Sequence, residues 1–319
     1  MEKEQDLPLL CYFEGNVIPL ADAKIGILTH AFSYGTGFFE GIRAYYNEDH
    51  KQLYMFRALE HYERFEQSAR ILMISLKKSA QEMVDLTGEL LRRSGIQSDA
   101  YIRPMGYKAD EVIGVRLHDL RDEMYITVQP FGNYIDIDRA LNVGVSSWKR
   151  TDDNMIPARG KITGAYVNSA FAKSEAILNG FDEAIMLDSE GHVSEGSAEN
   201  LFMFRNGVAY TPPVTSNILE GITRLTLMTL LREDLGIPVY ERVIDRTELY
   251  VCDELLLCGT GAQIAPVGSV DHRQIGNGGV GPIARALQSR YFDVVKGNVP
   301  KYSHWCTPVL SETRQPVTI

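Results

Sequence analysis

The sequence predicts an α+β or mixed architecture in two lobes. Its 319 residues, 45% hydrophobic and 23% charged, suffice for one large domain or two modest ones with real cores. Helical and strand-like patterns mix without the strict strand–helix alternation that a doubly wound sheet requires. Around 133–139 both patterns lapse into polar and turn residues. We therefore expect one domain over 1–133, a linker over 134–139 and a second domain over 140–319.

The first half contains two helical patterns followed by two strand-like runs. Apolar residues recur at helical spacing over 59–72 and again over 83–91, and Gly95 closes the second pattern. Runs rich in Tyr, Ile and Val then predict strands over 100–107 and 124–131. The charged segment over 106–117 is expected to form a loop over a pocket.

The second half opens with a strand-like run over 141–148. Helices are predicted over 164–178, 224–235 and 282–295, because each run of apolar periodicity has a matching boundary signal. These signals are Gly180 and Gly236 at the ends of the first two helices and Pro282 in the first turn of the third. Between the first two helices, short runs separated by turn residues predict several strands over 183–211.

Composition excludes several classes of protein. The 42 acidic residues outnumber the 32 basic ones, and the net charge of −10 disfavours general nucleic-acid binding while leaving room for a small cationic pocket. No apolar run approaches the roughly 18 residues of a membrane span. The polar start over 1–6 is unlike a signal peptide. Four cysteines without a C-x-x-C pair are too few for a disulfide scaffold. We expect a cytoplasmic soluble enzyme.

Four familiar motifs fail on inspection. The glycines of 276–281 match G-x-G-x-x-G, but no complete βαβ unit with a ribose-binding acid follows them. The stretch 31–35 lacks the first glycine of a nucleophile elbow, and 160–163 lacks the upstream glycine of a P-loop. Seven histidines are scattered without paired spacing, so no metal site is expected.

The informative region runs from Lys161 to Asn200. Lys161 lies in a glycine-containing turn before a helix, and the block Glu195–Phe202 (EGSAENLF) begins 34 residues later. The block 219–224 (LEGITR) follows. Together these motifs resemble the fold-type IV pyridoxal-phosphate enzymes, the family of branched-chain aminotransferases, D-amino-acid aminotransferases and aminodeoxychorismate lyases. Ala209 departs from the family pattern, where a larger aliphatic residue is usual.

The resemblance covers nearly the whole chain, from about residue 12 to residue 295. Further matching segments occur in the same order as in the family: 30–35, 39–43, 57–64, 101–104 and 258–264. The implied fold has a smaller N-terminal α/β lobe that sets substrate specificity and a larger C-terminal, cofactor-binding lobe with a barrel-like sheet.

The resemblance implies which residues bind pyridoxal phosphate. Lys161 is the catalytic residue and would hold the cofactor as a Schiff base, and Glu195 would pair with the protonated pyridine nitrogen. A single lysine in such a turn is more often a solvated surface residue, and it is the coupled spacing to Glu195 that argues otherwise. Tyr166 would donate to the 3′ oxygen of the ring. The remaining cofactor residues would contact the phosphate: Arg64, Ile222, Thr223 and Thr260.

The N-terminal segments look like the branched-chain aminotransferase pattern. Arg103 would reach the γ-carboxylate of glutamate, and the substrate α-carboxylate would lie on the turn at Gly261 and Ala262, near Tyr101. The apolar wall for leucine, isoleucine and valine would come from three aromatic residues, Tyr34, Phe39 and Tyr134. Gly41 and Arg43 complete the pattern. For any single aromatic member, plain core packing is the competing interpretation, and for Arg103 it is a structural salt bridge.

The implied reaction is a ping-pong transamination between branched-chain L-amino acids and 2-oxoglutarate. Alternatives are a D-amino-acid or (R)-amine transaminase or a lyase of the same fold type, a nicotinamide-dependent oxidoreductase, and a non-catalytic binding protein. The expected partners are small molecules, with no nucleic acid and no membrane. Family members are homodimers or assemblies of dimers in which the neighbouring subunit helps to close the site. The segment 301–319 receives no role.

Overall fold

The structure, a computed structural model, describes residues 9–132 and 137–310. It divides into two compact units. Of the described residues, 9–132, 160–163 and 294–310 form the first unit, and 137–159 and 164–293 form the second. The division after residue 132 lies next to the predicted linker. By contrast, 294–310 belongs to the first unit, whereas the sequence prediction assigned it to the second domain.

The described residues form seventeen strands and six α-helices. The strands are β1 Leu10–Phe13, β2 Asn16–Pro19, β3 Gly37–Phe39, β4 Ile42–Asn47, β5 Gln52–Phe56, β6 Ala100–Lys108, β7 Asp122–Pro130, β8 Leu141–Val145, β9 Glu183–Leu187, β10 Val193–Gly196, β11 Asn200–Arg205, β12 Val208–Thr211, β13 Val239–Glu241, β14 Glu254–Gly259, β15 Gln263–Val270, β16 Arg273–Gln274 and β17 Cys306–Pro308. The α-helices are α1 His30–Tyr34, α2 Ala58–Ile71, α3 Ala80–Arg93, α4 Tyr166–Leu178, α5 Ile222–Glu233 and α6 Pro282–Val295. Short 3-10 helices occupy Leu20–Asp22, Thr163–Ala165, Val214–Ser216, Arg246–Tyr250 and Pro300–Trp305. None of the helices in these ranges is both long and apolar enough to cross a bilayer.

The first unit is built on an eight-stranded antiparallel sheet. Its strand order is β17-β5-β4-β6-β7-β1-β2, and β3 pairs with β6. The long pair β6–β7 runs in register from Ala100 opposite Pro130 to Lys108 opposite Asp122. Helices α2 and α3 pack against each other and bury apolar faces that include Phe65. Strand β17 pairs with β5, which explains why 294–310 belongs to this unit.

The second unit contains a nine-stranded mixed sheet. Its order is β10-β9-β8-β15-β14-β11-β12-β13, with β16 paired to β15. Three of its pairs, β8–β9, β8–β15 and β12–β13, are parallel. Helix α4 packs on β8 and β9, and α5 packs on β13 and β14. The alternation of a doubly wound sheet is absent from the described strands, as the irregular order of helical and strand patterns predicted.

Most predicted elements are confirmed, and the differences lie at their ends. The strand predicted over 141–148 ends at Val145, and the helix predicted from 224 begins at Ile222. The predicted start at Gly164 is a 3-10 turn, and the α-helix begins at Tyr166. Helix α1 was not predicted at all, since five residues are too few to reveal a helical period.

Candidate active site

Lys161 is held in place within the first unit by its own backbone. Its N–H donates to Ser68 Oγ at 3.2 Å, and its carbonyl accepts the N–H of Phe39 at 3.0 Å. The side chain is half-buried, and Nζ lies 5.1 Å from the centroid of the Phe39 ring. A lysine whose backbone N–H and carbonyl are both hydrogen-bonded, and whose amine lies over an aromatic ring, differs from a solvated surface lysine.

The Phe39 ring also contacts Arg103, a second cationic residue predicted for the site. The guanidinium of Arg103 lies 4.3 Å from the Phe39 centroid, and its Nη2 donates to the Tyr101 hydroxyl at 2.8 Å. Arg43 lies directly opposite Tyr101 in the β4–β6 pair. A Cβ on Gly41 would lie 2.4 Å from the Tyr101 hydroxyl oxygen, so a glycine leaves room for that oxygen. The structure therefore brings these five residues together.

The two arginines of this face retain buried donors. Arg43 is 2% exposed, and its Nη2 donates to the carbonyl of Gly132 at 2.5 Å. Its Nε and Nη1, and Nε of Arg103, have no acceptor among the residues that the structure describes. Buried guanidinium donors without an acceptor are costly, and a carboxylate is the ligand that matches their planar fork. This face is suited to binding a carboxylate-bearing molecule.

Of the other predicted aromatic residues, Tyr34 lies on α1. Its hydroxyl accepts the N–H of Gly114 at 3.2 Å, and its ring lies 4.7 Å from that of His30. The segment 109–117 therefore contacts α1 through Gly114. Of the predicted loop over 106–117, residues 106–108 belong instead to strand β6. Tyr134 lies outside the described residues.

Arg64 is buried on α2 and pairs with a residue that the sequence analysis did not single out. Its Nε and Nη2 donate to the two carboxylate oxygens of Glu40 at 2.7 and 2.8 Å. His61 Nδ1 lies 2.8 Å from Glu40 Oε2. Burial by itself would raise the pKa of Glu40, but Arg64 and His61 hold that pKa well below its usual range. Glu40 had two signals in the sequence, its place in the matching segment 39–43 and its charge inside the otherwise uncharged stretch 37–42, but neither indicated a partner.

In the second unit, Glu195 is nearly buried on β10 and is surrounded by donors. Its Oε1 lies 2.8 Å from Arg150 Nη2, and its Oε2 accepts from Asn200 Nδ2 at 2.9 Å and from the Leu219 N–H at 3.1 Å. Three donors, one of them cationic, favour the ionised carboxylate. Asn200 belongs to the motif that contains Glu195, but Arg150 precedes it by 45 residues and had no signal beyond its place in a polar stretch.

The start of helix α5 adjoins Asn200. Gly221 is the N-cap and, as a glycine, provides no capping side chain. A Cβ on Gly221 would lie 1.9 Å from Asn200 Oδ1, so only glycine fits there. Ile222 and Thr223 are buried and form the first turn, whereas the sequence prediction placed them just before the helix. Backbone N–H groups and the helix dipole make this a site that favours an anion.

The turn between β14 and β15 is the third part of this unit's site. It contains Thr260 and Gly261, both half-buried, and the buried Ala262. Asn200 pairs with Cys258 on β14, so the Glu195 motif runs beside the strand that leads into the turn. Tyr166 is the first residue of α4 and is half-buried. Because Asn200 contacts Glu195, Gly221 and Cys258, the buried Glu195, the start of α5 and the turn after β14 are adjacent within the second unit.

Glu199 is a further buried acid that the sequence analysis did not assign. Its Oε2 accepts the N–H of Ala198 at 3.0 Å, in the turn that links Glu195 to Asn200. Burial and the nearby carboxylate of Glu183 raise the pKa of Glu199 to about 8. Among the described residues Lys173 forms an ion pair with Glu183, and no cation forms one with Glu199.

The glycine-rich segment 276–281 has a structural role. The carboxylate of Glu254 accepts the N–H groups of Ile283 and Ala284, each at 3.0 Å, at the start of α6. A Cβ on Gly281 would lie 2.1 Å from the Glu254 carboxyl carbon, so glycine admits this carboxylate. The helix N-terminus is therefore occupied by the protein's own anion, which argues against dinucleotide phosphate binding. Within 9–132 and 137–310 no group of three or more potential metal ligands occurs.

Comparison with known proteins identifies the family of the chain. The model of the family described as "Amino-transferase class IV" matches residues 37–270. A probable branched-chain-amino-acid aminotransferase of Aquifex aeolicus (strain VF5) is 50% identical over 298 residues, which are 93% of this chain and 96% of that protein.

Solved structures of branched-chain aminotransferases have a similar fold. The branched-chain aminotransferase of the thermophilic archaeon Thermoproteus uzoniensis, with norvaline, has a TM-score of 0.90 and 40% identity and covers 94% of this chain and 99% of its own. The branched-chain amino acid aminotransferase of Thermobaculum terrenum, in its PLP-form, has a TM-score of 0.90 and 38% identity, with coverage of 96% and 99%. The predicted family resemblance and the predicted fold class are confirmed.

Proposed function

The chain belongs to the class IV aminotransferases, and from that premise we propose that it is a pyridoxal-phosphate-dependent branched-chain-amino-acid aminotransferase. It transfers the amino group of leucine, isoleucine or valine to 2-oxoglutarate, giving a branched-chain 2-oxo acid and glutamate. The observation that carries the proposal is the buried Glu195 carboxylate, held by Arg150, Asn200 and a backbone N–H. A fixed anion of this kind suits a protonated aromatic nitrogen. The D-amino-acid, (R)-amine and lyase alternatives have no comparable support.

The residues present fit the cofactor. When bound, pyridoxal phosphate supplies an aldehyde that joins amines covalently and an aromatic ring that withdraws electrons from the substrate Cα. Glu195 keeps the ring nitrogen protonated. Ile222 and Thr223 at the start of α5, with the Thr260 hydroxyl and Arg64, bind the phosphate, since a helix N-terminus and a guanidinium both favour anions.

Lys161 is the proposed catalytic residue. Its amine would hold the cofactor until the amino group of the substrate displaces it, and the freed amine would then move the proton from the substrate Cα to the cofactor atom C4′. The anchoring of its backbone by Ser68 and Phe39 supports this role, because a proton carrier must stay aligned with both atoms. Tyr166 donates a hydrogen bond to the 3′ oxygen of the ring.

The substrate-binding residues are proposed from the arginine–aromatic face of the first unit and the Thr260 turn of the second. Arg103, with the Tyr101 hydroxyl, binds the γ-carboxylate of glutamate, and the buried donors of Arg43 support a carboxylate ligand. The remaining members are assigned by resemblance. Tyr34, Phe39 and Tyr134 form the apolar wall, Gly41 leaves space beside it, and Gly261 and Ala262 bind the α-carboxylate.

A second copy of the chain is the proposed protein partner. Ile27, Phe32, Ile113 and Val115 of the first unit are between 71% and 91% exposed. The backbone N–H of His30 donates to the Asp110 carbonyl at 2.8 Å, which joins the two segments that carry these side chains. An apolar patch of this kind is unusual on a monomer. A homodimer or an assembly of dimers is therefore proposed, and light scattering after size-exclusion chromatography measures its mass. The proposed location of the protein is the cytoplasm.

An absorbance spectrum of the purified protein with pyridoxal phosphate, before and after L-leucine, tests the function. We expect a visible band that L-leucine bleaches and that Lys161→Ala abolishes. Lys51→Ala, which removes a lysine whose side chain is 74% exposed, is the matched control and should behave like the wild type. A protein that never develops the band contradicts the cofactor assignment. A band that responds only to a D-amino acid contradicts the substrate assignment.

A further inference from the structure

Helix α2 presents one buried face that bears on the proposed phosphate site. His61, Arg64 and Ser68 are spaced three and four residues apart, so they lie on the same side of the helix. They are 3%, 8% and 0% exposed. Ser68 accepts the N–H of Lys161 at 3.2 Å, so this face also adjoins the segment that holds the proposed catalytic lysine.

The Glu40–Arg64 pair uses one edge of the guanidinium. Glu40 accepts from Nε at 2.7 Å and from Nη2 at 2.8 Å, a bidentate geometry that fixes the plane of the guanidinium as well as its position. Glu40 has no exposure and Arg64 retains 8%, so the carboxylate lies behind the arginine, farther from solvent.

We propose that Glu40 is a positioning residue that fixes the Arg64 guanidinium for binding the phosphate of the cofactor. The inference rests on the proposed function, because Arg64 must bind that phosphate. His61 also holds the Glu40 carboxylate, since its Nδ1 lies 2.8 Å from Oε2, the oxygen that accepts from Arg64 Nη2.

Two roles for Glu40 predict opposite effects on cofactor affinity. If Glu40 acted only through its charge, its removal would leave Arg64 unneutralised and would tighten phosphate binding. If Glu40 acts by orientation, its removal loosens the guanidinium, and the gain in net positive charge does not compensate. The sign of the change in affinity therefore distinguishes the two.

The experiment measures the dissociation constants of pyridoxal phosphate and of pyridoxal, which lacks the phosphate, by absorbance titration of the cofactor-free protein. We expect Glu40→Gln to weaken pyridoxal phosphate binding about tenfold or more and to leave pyridoxal binding unchanged. Glu60→Gln is the matched control. It removes a second Glu–Arg pair of α2, Glu60–Arg57 at 2.8 Å, and should change neither constant.

Further variants guard against a folding defect and locate the effect. Glu40→Asp keeps a carboxylate and should recover part of the affinity for pyridoxal phosphate. In an Arg64→Gln background, Glu40→Gln should have no further effect on the ratio of the two constants, because the arginine through which it acts is gone.

Each failure is distinguishable. Unchanged or tighter pyridoxal phosphate binding by Glu40→Gln, with Arg64→Gln weakened, overturns the positioning role alone. Equal weakening toward pyridoxal and pyridoxal phosphate also overturns it. An Arg64→Gln variant that keeps full phosphate preference overturns the phosphate role of Arg64 and with it the inference. A wild-type protein that binds neither molecule overturns the function on which the inference rests.

Discussion

The Arg150 guanidinium lies 2.8 Å from the Glu195 carboxylate, and the two side chains are only 10% and 6% exposed. A nearly buried ion pair has little water to replace a lost partner. The pair therefore links a residue of the polar stretch before Lys161 to the acid proposed for the cofactor nitrogen.

Replacing Arg150 by Gln should lower kcat about tenfold to a hundredfold. The reason is that the Glu195 carboxylate loses its cationic partner, which favours the ionised carboxylate. Steady-state kinetics and the visible spectrum of the bound cofactor measure this. Arg159→Gln is the matched control, because Arg159 belongs to the same segment but has a side chain 49% exposed. Equal activity of the two variants would show that Glu195 does not depend on Arg150.

Glu199 should make the stability of the protein depend on pH in a defined direction. Its pKa is raised from 4.5 to about 8 in the folded state, first by burial and then by Glu183. The folded state therefore holds a proton that the unfolded chain releases above its own pKa. The stability contributed by neutral Glu199 is complete below about pH 4.5 and is lost progressively as the pH rises toward 8.

Glu199→Gln does not titrate, so its unfolding temperature should rise relative to that of the wild type between pH 5 and pH 8 and level off above. Thermal unfolding at a series of pH values measures the difference. Glu190→Gln, which changes a side chain 80% exposed, should show no such trend. A constant difference between Glu199→Gln and wild type across this range would contradict the raised pKa.

Gly41→Ala should impair substrate binding without unfolding the protein. The new methyl group would lie 2.4 Å from the Tyr101 hydroxyl oxygen and would push it away from Arg103. We expect the KM for glutamate to rise about tenfold. Gly279→Ala provides the control, because Gly279 is exposed and its Cβ would meet its nearest neighbour only at 3.5 Å, an ordinary contact. Wild-type kinetics in Gly41→Ala would exclude a role for the Tyr101 position.

Arg103→Met should separate the two substrate classes. Loss of a charged hydrogen bond to the γ-carboxylate should raise the KM for 2-oxoglutarate and glutamate about tenfold to a hundredfold, and that for leucine much less. Kinetics with both substrates of the exchange measure this split. Arg285→Met, on an exposed position of α6, is the control. Equal losses for leucine and glutamate would make Arg103 a structural residue.

Local elements were predictable because their signals are local. Helices α2 to α6 follow apolar periodicity, all but α2 have a boundary glycine or proline, and their bounds match within a few residues. Helix α1 was missed because a single turn carries no period. The return of β17 to β5 was missed because antiparallel pairing of distant strands leaves no pattern in either strand alone.

The family can be identified from the amino-acid sequence alone, through motifs at coupled spacings around Lys161 and Glu195, and with it the residues proposed to bind the cofactor. The tertiary structure decided which groups surround them. Arg150 reaches Glu195 across 45 residues, Glu40 pairs with Arg64 across 24, and Glu254 fills the N-terminus of α6. The physical reason is that a buried charge needs a partner, and packing, which brings distant segments together, decides which one it meets.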